Sequence, residues 1–577
     1  MRLASLLTAA LALAACAGPA PTQAAAPDPA PAEDPRVTVF TNGTIYTGLE
    51  DPATVTGVVV YPDGRILATI PPMSADWGDD TSEIHLVDLG GAYLYPGFTD
   101  AHAHLLGIGQ RELTLNLEGT ASVAELVTRV EAELQGLAPG EVLYGRGWIE
   151  TGWPEGRMPS AADLDPVSPD NPVILGRSDG HAVVANTSAL KAAGLYHITG
   201  DPEGGKVERG PDNLATGIVL DNAMYPLTQL ITDPSEEDVR RAYEVGAKTY
   251  AARGWTGVHN MSVPRLHAPW LQSLSQAGKL PLRVYNAYDE NGFDIAAGRL
   301  YETPTITNRT VKLYMDGALG SRGALLIKPY ADRPDTSGLA LLEPEALHNL
   351  MMDAKEKNVQ LAIHAIGDLA NRRILDTFEA LGYGPDLRWR IEHTQVLAPE
   401  DIARVGALGL IASMQPSHAI GDLHFAPSRL GLDRLRGAYA WASLLASGAH
   451  LAGGSDAPVE VGSPLIEFYA AVARKDLKGF TGEGWHPEEA LTRQQALALF
   501  TSGPAYAAFQ EADLGTIEPG KWADFSVFDR DLMTIPEGDI LSARPVMTVI
   551  AGKVVWRQDT DVPEEGAAPE GEEGQIP

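Results

Sequence analysis

The stretch PGFTDAHAHL, Pro96–Leu105, sets two histidines one residue apart just after a Pro-Gly pair. Successive side chains of a β-strand point to opposite faces, so residues i and i+2 share a face. His102 and His104 would therefore converge on one point. By composition alone an H-x-H arises in roughly one in three chains of this length and histidine content, so the pair takes its meaning from the rest of the chain.

Counting LYPGFTDAHAHL (94–105) as the first, eight apolar runs read as strands. The others are GWTGVHNM (254–261), PLRVYNAY (281–288), VKLYMDG (311–317), VQLAIHAIGD (359–368), RWRIEHTQV (388–396), GLIASMQPSH (409–418) and LAGGSDAPV (451–459). Amphipathic stretches of helical length, such as EALHNLMMDAKEKN and LANRRILDTFEALG, separate several of them. Strands alternating with helices signal βα units around a parallel sheet, and eight is the number a (β/α)8 barrel requires.

Outside these runs the texture changes. Residues 36–95 and 512–558 carry short β-like runs, the former punctuated by Asn-Gly and Asp-Gly turn signals, which predicts one β-sandwich built from both chain ends. The barrel is assigned 96–511. Within it, 111–237 is too long for a loop and reads as an insert subdomain after the first barrel strand, over one mouth of the barrel. It contains the helical stretch ASVAELVTRVEAELQGL and the strands EVLYGRGW and PVILGRSDGHAVVAN.

The chain termini are of another kind. Arg2 followed by the apolar Leu6–Leu13 reads as an export signal, and Leu13-Ala14-Ala15-Cys16 resembles a bacterial lipobox, giving a signal peptide over 1–16. Cys16 is the only cysteine, which excludes an intramolecular disulfide and a thiol nucleophile in the folded body. The expectation is an exported protein of the bacterial cell envelope, lipid-anchored at Cys16 through an Ala/Pro-rich tether over 17–35; cleavage near Thr22-Gln23-Ala24, giving a soluble periplasmic protein, is the rival reading. The acidic run 559–577 reads as a disordered tail.

Composition narrows the function further. Hydrophobic residues at 44% and charged residues at 21% are ordinary for a folded globular protein. With 76 acidic against 43 basic residues, the net charge of −33 repels phosphate backbones and anionic lipid surfaces, so no nucleic-acid partner is expected. The oligomeric state stays open, a homo-oligomer included.

Barrel enzymes carry their reactive groups at the C-terminal ends of the strands. His102 and His104 finish the first run, Lys312 lies in the fourth, His364 and His393 close the fifth and sixth, and Asp456 ends the apolar part of the eighth. One strand-end imidazole can be a hydrogen-bonded core residue; four, with a carboxylate, suit a divalent transition metal, most often zinc. Lys312 admits two readings: a strand-end ion pair, or a neutral amine that adds CO₂ to become an anionic carbamate between two metals. His259 at the second strand end reads as a satisfied core residue or a pocket group.

Together PGFTDAHAHL, VKLYMDGALGSR, LAIHAIGD, RIEHTQ and GGSDAPV resemble the metal-dependent amidohydrolase superfamily, in particular its YtcJ-like branch, which includes N-substituted formamide deformylases. The resemblance runs from about Asn42 through the stretch ending FSVFDRD. It implies His102 and His104 on one metal, a carboxylated Lys312 as bridge, His364 and His393 on a second metal, and Asp456 holding the nucleophilic water. It also implies a hydrolase for a non-peptide C–N bond of a small amide, N-acyl or N-formyl compound. Lactone or phosphotriester hydrolysis on the same site, and a non-catalytic lipoprotein that binds metal or solute, are the alternatives. For substrate contacts, His181 and Arg322 lie in stretches typical of the branch, and Asp179 falls beside His181. Trp148 and His418 are placed either at the pocket or in packing and supporting hydrogen bonds.

Overall fold

The computed structural model describes residues 36–50, 53–71, 84–150, 153–177, 182–202, 205–231, 234–482 and 485–558. The expected signal segment with Cys16, the tether, the acidic tail, Asp179 and His181 lie outside the described residues.

Eight parallel strands form the centre: Phe98–Ala103 (β1), Trp255–Val263 (β2), Arg283–Tyr288 (β3), Ile306–Tyr314 (β4), Gln360–Ala365 (β5), Arg390–His393 (β6), Ile411–Met414 (β7) and His450–Gly453 (β8). Each falls within or overlaps one of the eight runs read from the sequence. They are buried almost throughout, because helices cover the outside of a parallel sheet and side chains fill its inside. The ladder follows chain order, and β1 and β8 are its two ends. What ties these ends together lies just past β8, where Asp456 N–H donates to His102 O at 2.6 Å and His104 N–H to Ala457 O at 2.8 Å. Gly454 makes that approach feasible, since a Cβ there would sit 2.4 Å from the His102 nitrogen.

The helix Leu105–Leu113 leaves β1 directly and packs on Glu236–Arg253, the helix that leads into β2. The second helix is defined at both ends: Ser235 and Asp238 form a reciprocal capping box, and Gly254 terminates it at φ 98°. The two helices touch through glycine, a Cβ at Gly109 falling 1.7 Å from the Ala242 carbonyl oxygen.

The chain ends meet in one hydrogen-bonded sheet of eight strands. Its junction is the antiparallel pairing of Tyr93–Pro96 with Phe525–Phe528, residues more than four hundred positions apart in the chain. Phe40, Val58, Leu94, Phe525, Val527 and Val549 build a separate apolar core on this sheet. Tyr93–Pro96 runs almost directly into β1, so the sheet holds the base of the strand that carries His102.

The long insert folds around a six-stranded sheet of its own. The expected stretch PVILGRSDGHAVVAN contributes two antiparallel strands, Val173–Arg177 and Ala182–Ala185. A hairpin, Gly205–Arg209 with Ala215–Asp221, extends the sheet and was not read from the sequence. Its charged first strand lacks the apolar run that marks the others.

Candidate metal centre

The C-terminal rim of the barrel gathers the expected residues. His104 Nε2 lies 3.1 Å and His102 Nε2 3.5 Å from Asp456 Oδ1. Lys312 Nζ, on β4, is 3.3 Å from His102 Nε2. His393 packs its ring 4.8 Å from that of His102 and 4.5 Å from that of His364, measured between ring centroids. His418 adds a fifth imidazole, its ring parallel to His393 at 5.9 Å and its Nε2 3.7 Å from Asp456 Oδ2.

Two sets of donor atoms are close enough to share an ion: His102, His104 and Asp456, and His393, His418 and Asp456. Asp456 belongs to both. The second set holds His418 beside His393, where the expectation named His364. His364 lies next to that set, its ring 4.5 Å from His393 and its Nε2 3.4 Å from Asp316 Oδ1.

Burial sets the electrostatics. Loss of solvent, reinforced by nearby Lys312, lowers His102 to about 4 and His364 to about 3, and desolvation with the neighbouring imidazoles holds His393 well below its ordinary value. These rings are neutral, the form that binds metal. Burial also brings Lys312 down to about 8. Desolvation works to raise the Asp456 carboxyl, yet His102, His104 and His393 around it hold it well below the usual range.

Supporting residues were missed in the sequence. Glu392, one position before His393, accepts from His102 Nδ1 at 2.5 Å, leaving Nε2 to face the cluster. Arg390 bonds Glu392 at 2.7 Å, the Ala101 carbonyl at 2.6 Å and His259 Nδ1 at 2.7 Å, which makes His259 a satisfied core residue. Burial opposes ionisation of Glu392, but Arg390 and His102 outweigh it and keep the carboxylate charged. Gln415 Oε1 accepts from His393 Nδ1 at 2.8 Å, so His393 too presents Nε2. Beneath the cluster, Asp100 accepts from the backbone N–H of His102 and of Ser455, both at 3.0 Å. Two signals could have found these residues: Asp100 and His102 share one strand face, and Arg390 and Glu392 interrupt an apolar run at period two.

The remaining substrate-contact residues are placed differently. Trp148 is fully buried in the insert, where Nε1 donates to the Leu175 carbonyl at 2.8 Å and Trp153 packs alongside. Its one donor is thus satisfied inside the core of the insert. Arg322 pairs with Asp332 at 2.8 Å, a carboxylate that Arg429 shares.

Among the described residues, buried polar atoms without any hydrogen-bond partner include His364 Nε2, His418 Nε2 and Asp456 Oδ1. Buried polar atoms are nearly always paired. Three unpaired ones at a single rim, among clustered imidazoles around a charged carboxylate, fit a divalent metal.

The family model described as Amidohydrolase family matches residues 85–556. The chain is 32% identical over 531 residues to "Putative amidohydrolase YtcJ" of Bacillus subtilis, covering 90% of this chain and 99% of that one. It is 28% identical to "N-substituted formamide deformylase" of Arthrobacter pascens, over 86% of this chain and 94% of the relative. Among solved structures, an uncharacterized metal-dependent hydrolase from Pyrococcus horikoshii aligns with a TM-score of 0.71 at 30% identity, covering 87% of this chain and 99% of that one.

Proposed function

The chain belongs to the amidohydrolase family, and on that premise we propose that it hydrolyses the C–N bond of a small non-peptide amide, N-acyl or N-formyl compound. The observation that carries this reading is the group of unpartnered buried atoms on His364, His418 and Asp456. His102, His104 and Asp456 would hold one divalent ion, and His393, His418 and Asp456 a second. Zinc suits this nitrogen-rich set. When bound, such a metal supplies Lewis acidity towards water and carbonyl oxygen.

The chain's own groups do the rest. Asp456, held ionised, orients the attacking water, accepts its proton and returns it to the departing amine. Glu392 fixes the His102 tautomer through Nδ1. Lys312, brought down to about 8, exposes a neutral fraction of roughly one in ten at pH 7. That free amine can add CO₂, releasing a proton and giving the anionic carbamate. The single cysteine, Cys16, leaves no thiol nucleophile in the barrel. The likeness to a deformylase supports C–N chemistry, and Leu13-Ala14-Ala15-Cys16 supports an envelope enzyme anchored by lipid.

The test is a parallel panel of N-acyl and N-formyl amines, lactones and phosphotriesters, run with zinc-loaded and chelator-stripped full chain. Turnover of the amides that is lost with the metal and returns on reloading is expected. Turnover confined to lactones or phosphotriesters would overturn the bond assignment, and bound metal without turnover on any arm would favour a binding protein.

A further inference from the structure

An open cleft of about 670 Å³ lies between the insert sheet and the paired helices Leu105–Leu113 and Glu236–Arg253. Gly107 and Pro458, which follow His104 and Asp456 by three and two residues, are part of its lining. The cleft therefore lies beside the rim that carries those two residues. Its walls carry Arg111, Arg146 and Arg241.

Acids outnumber bases 76 to 43 in this chain, so most guanidinium groups have a carboxylate to pair with. Arg146, exposed on the insert strand Leu143–Trp148, and Arg241, exposed on the facing helix, depart from that pattern. Neither donates a hydrogen bond or forms an ion pair among the described residues. Asp238 lies within electrostatic reach of Arg241, but its carboxylate is committed to the Ser235 cap at 2.6 and 2.9 Å. Arg111 is buried, and it spends its guanidinium chiefly on the carbonyls of Glu460 and Val461, at 2.9 and 3.0 Å, with the Glu112 carboxylate farther off at 3.4 Å. It fixes the loop after Asp456 and adds positive charge to the same wall.

We propose that this cleft is an anion-binding subsite, in which Arg146 and Arg241 take a carboxylate carried by the substrate at a distance from its scissile bond. The inference rests on the hydrolase reading and specifies its substrate class. The spacing follows from the helix that lines the cleft: Gly107, Gln110 and Thr114 lie beyond His104 by a span that, at 1.5 Å per residue, is roughly 5 to 15 Å. A substrate of that reach places its acyl carbon at the metals and its carboxylate between the two arginines. Charge-assisted, forked contacts of this kind are what guanidinium groups offer carboxylates.

The experiment is calorimetric titration of the zinc-loaded full chain with suberate, with its neutral diamide and with inorganic phosphate. Wild type, Arg146→Gln, Arg241→Gln and the double variant are compared at equal zinc content. Suberate should bind more tightly than the diamide, and the double variant should lose at least tenfold in suberate affinity while the diamide is unaffected. Unchanged suberate affinity in the double variant, or a parallel loss for the diamide, would overturn the subsite. Phosphate binding as tightly as suberate, with the same loss in the variants, would overturn the substrate assignment in favour of a free-anion site. Because binding is the readout, a chain that hydrolysed nothing would refute the proposed reaction and leave the titration to decide the subsite by itself.

Discussion

Replacing Asp100 by alanine tests how the rim is held together. Its carboxylate is fully buried and accepts four hydrogen bonds: from His102 N–H and Ser455 N–H at 3.0 Å each, from Ser455 Oγ at 2.6 Å and from the Tyr250 hydroxyl at 3.0 Å. Alanine strands two backbone N–H groups, each costing about 1–3 kcal/mol. The two hydroxyls lie 3.2 Å apart and can bond each other, so they add little. Burial pushes the Asp100 carboxyl up to about 6, a desolvation cost that alanine removes. The expected loss is therefore in the lower part of the summed range, about 2–4 kcal/mol, against a total stability of about 5–15 kcal/mol for a domain. Asparagine should cost less, about 1–2 kcal/mol, because its oxygen can keep both backbone donors while its amide donates to hydroxyls free to rotate. Asp456 sits at φ 61° two bonds along from this anchor, so its carboxylate should drift from His102 and His104 when the anchor goes. Urea unfolding followed by circular dichroism, with zinc content of the dialysed protein, reads both effects. An alanine variant matching wild type in midpoint and zinc, or an asparagine variant as damaged as alanine, would refute the reasoning.

The other predictions concern separate parts of the molecule. His418→Ala should weaken one of the two metal positions by about 10- to 100-fold or empty it, with the other retained, in equilibrium dialysis; His364→Ala having that effect while His418→Ala does not would restore the pairing expected from the sequence. Trp148→Ala should lower stability by about 3–5 kcal/mol, seen as a lower denaturation midpoint, and leave KM nearly unchanged; a change confined to KM would return Trp148 to the pocket. In the insert, Asp163 is held below its ordinary value, first by its bidentate pairing with Arg157 and also by Ser160, whose N–H it caps. Its contribution, about 1 kcal/mol for such a cap, is present above the unfolded carboxylate pKa and is lost as pH falls through the lower folded value; Asp163→Asn should be less stable than wild type at pH 7, with the gap narrowing as the pH is lowered in thermal melts.

How much of the site could be read from the chain depended on how local its signal was. His102 and His104 share a strand face by a rule of period two, and Asp456 closes an apolar run, so both were legible. Glu392 was hidden because His393 beside it drew the same run's assignment, although Arg390 and Glu392 alternate within it. His418 was ambiguous for a different reason: it lies four residues beyond β7, where no periodicity says which way a side chain turns.

The sequence by itself determined the eight strands, the alternation that makes the sheet parallel, and the strand-end histidines, because hydrophobic period and turn residues act over a few positions. Tertiary structure alone decided the pairing of Tyr93–Pro96 with Phe525–Phe528, the approach of His418 to His393 and Asp456, and the placing of Arg146 and Arg241 on the walls of one cleft. Those outcomes depend on segments far apart in the chain being brought together by the closure of the barrel and the docking of the insert. Hydrogen bonds and charge interactions of that range leave no trace in linear spacing.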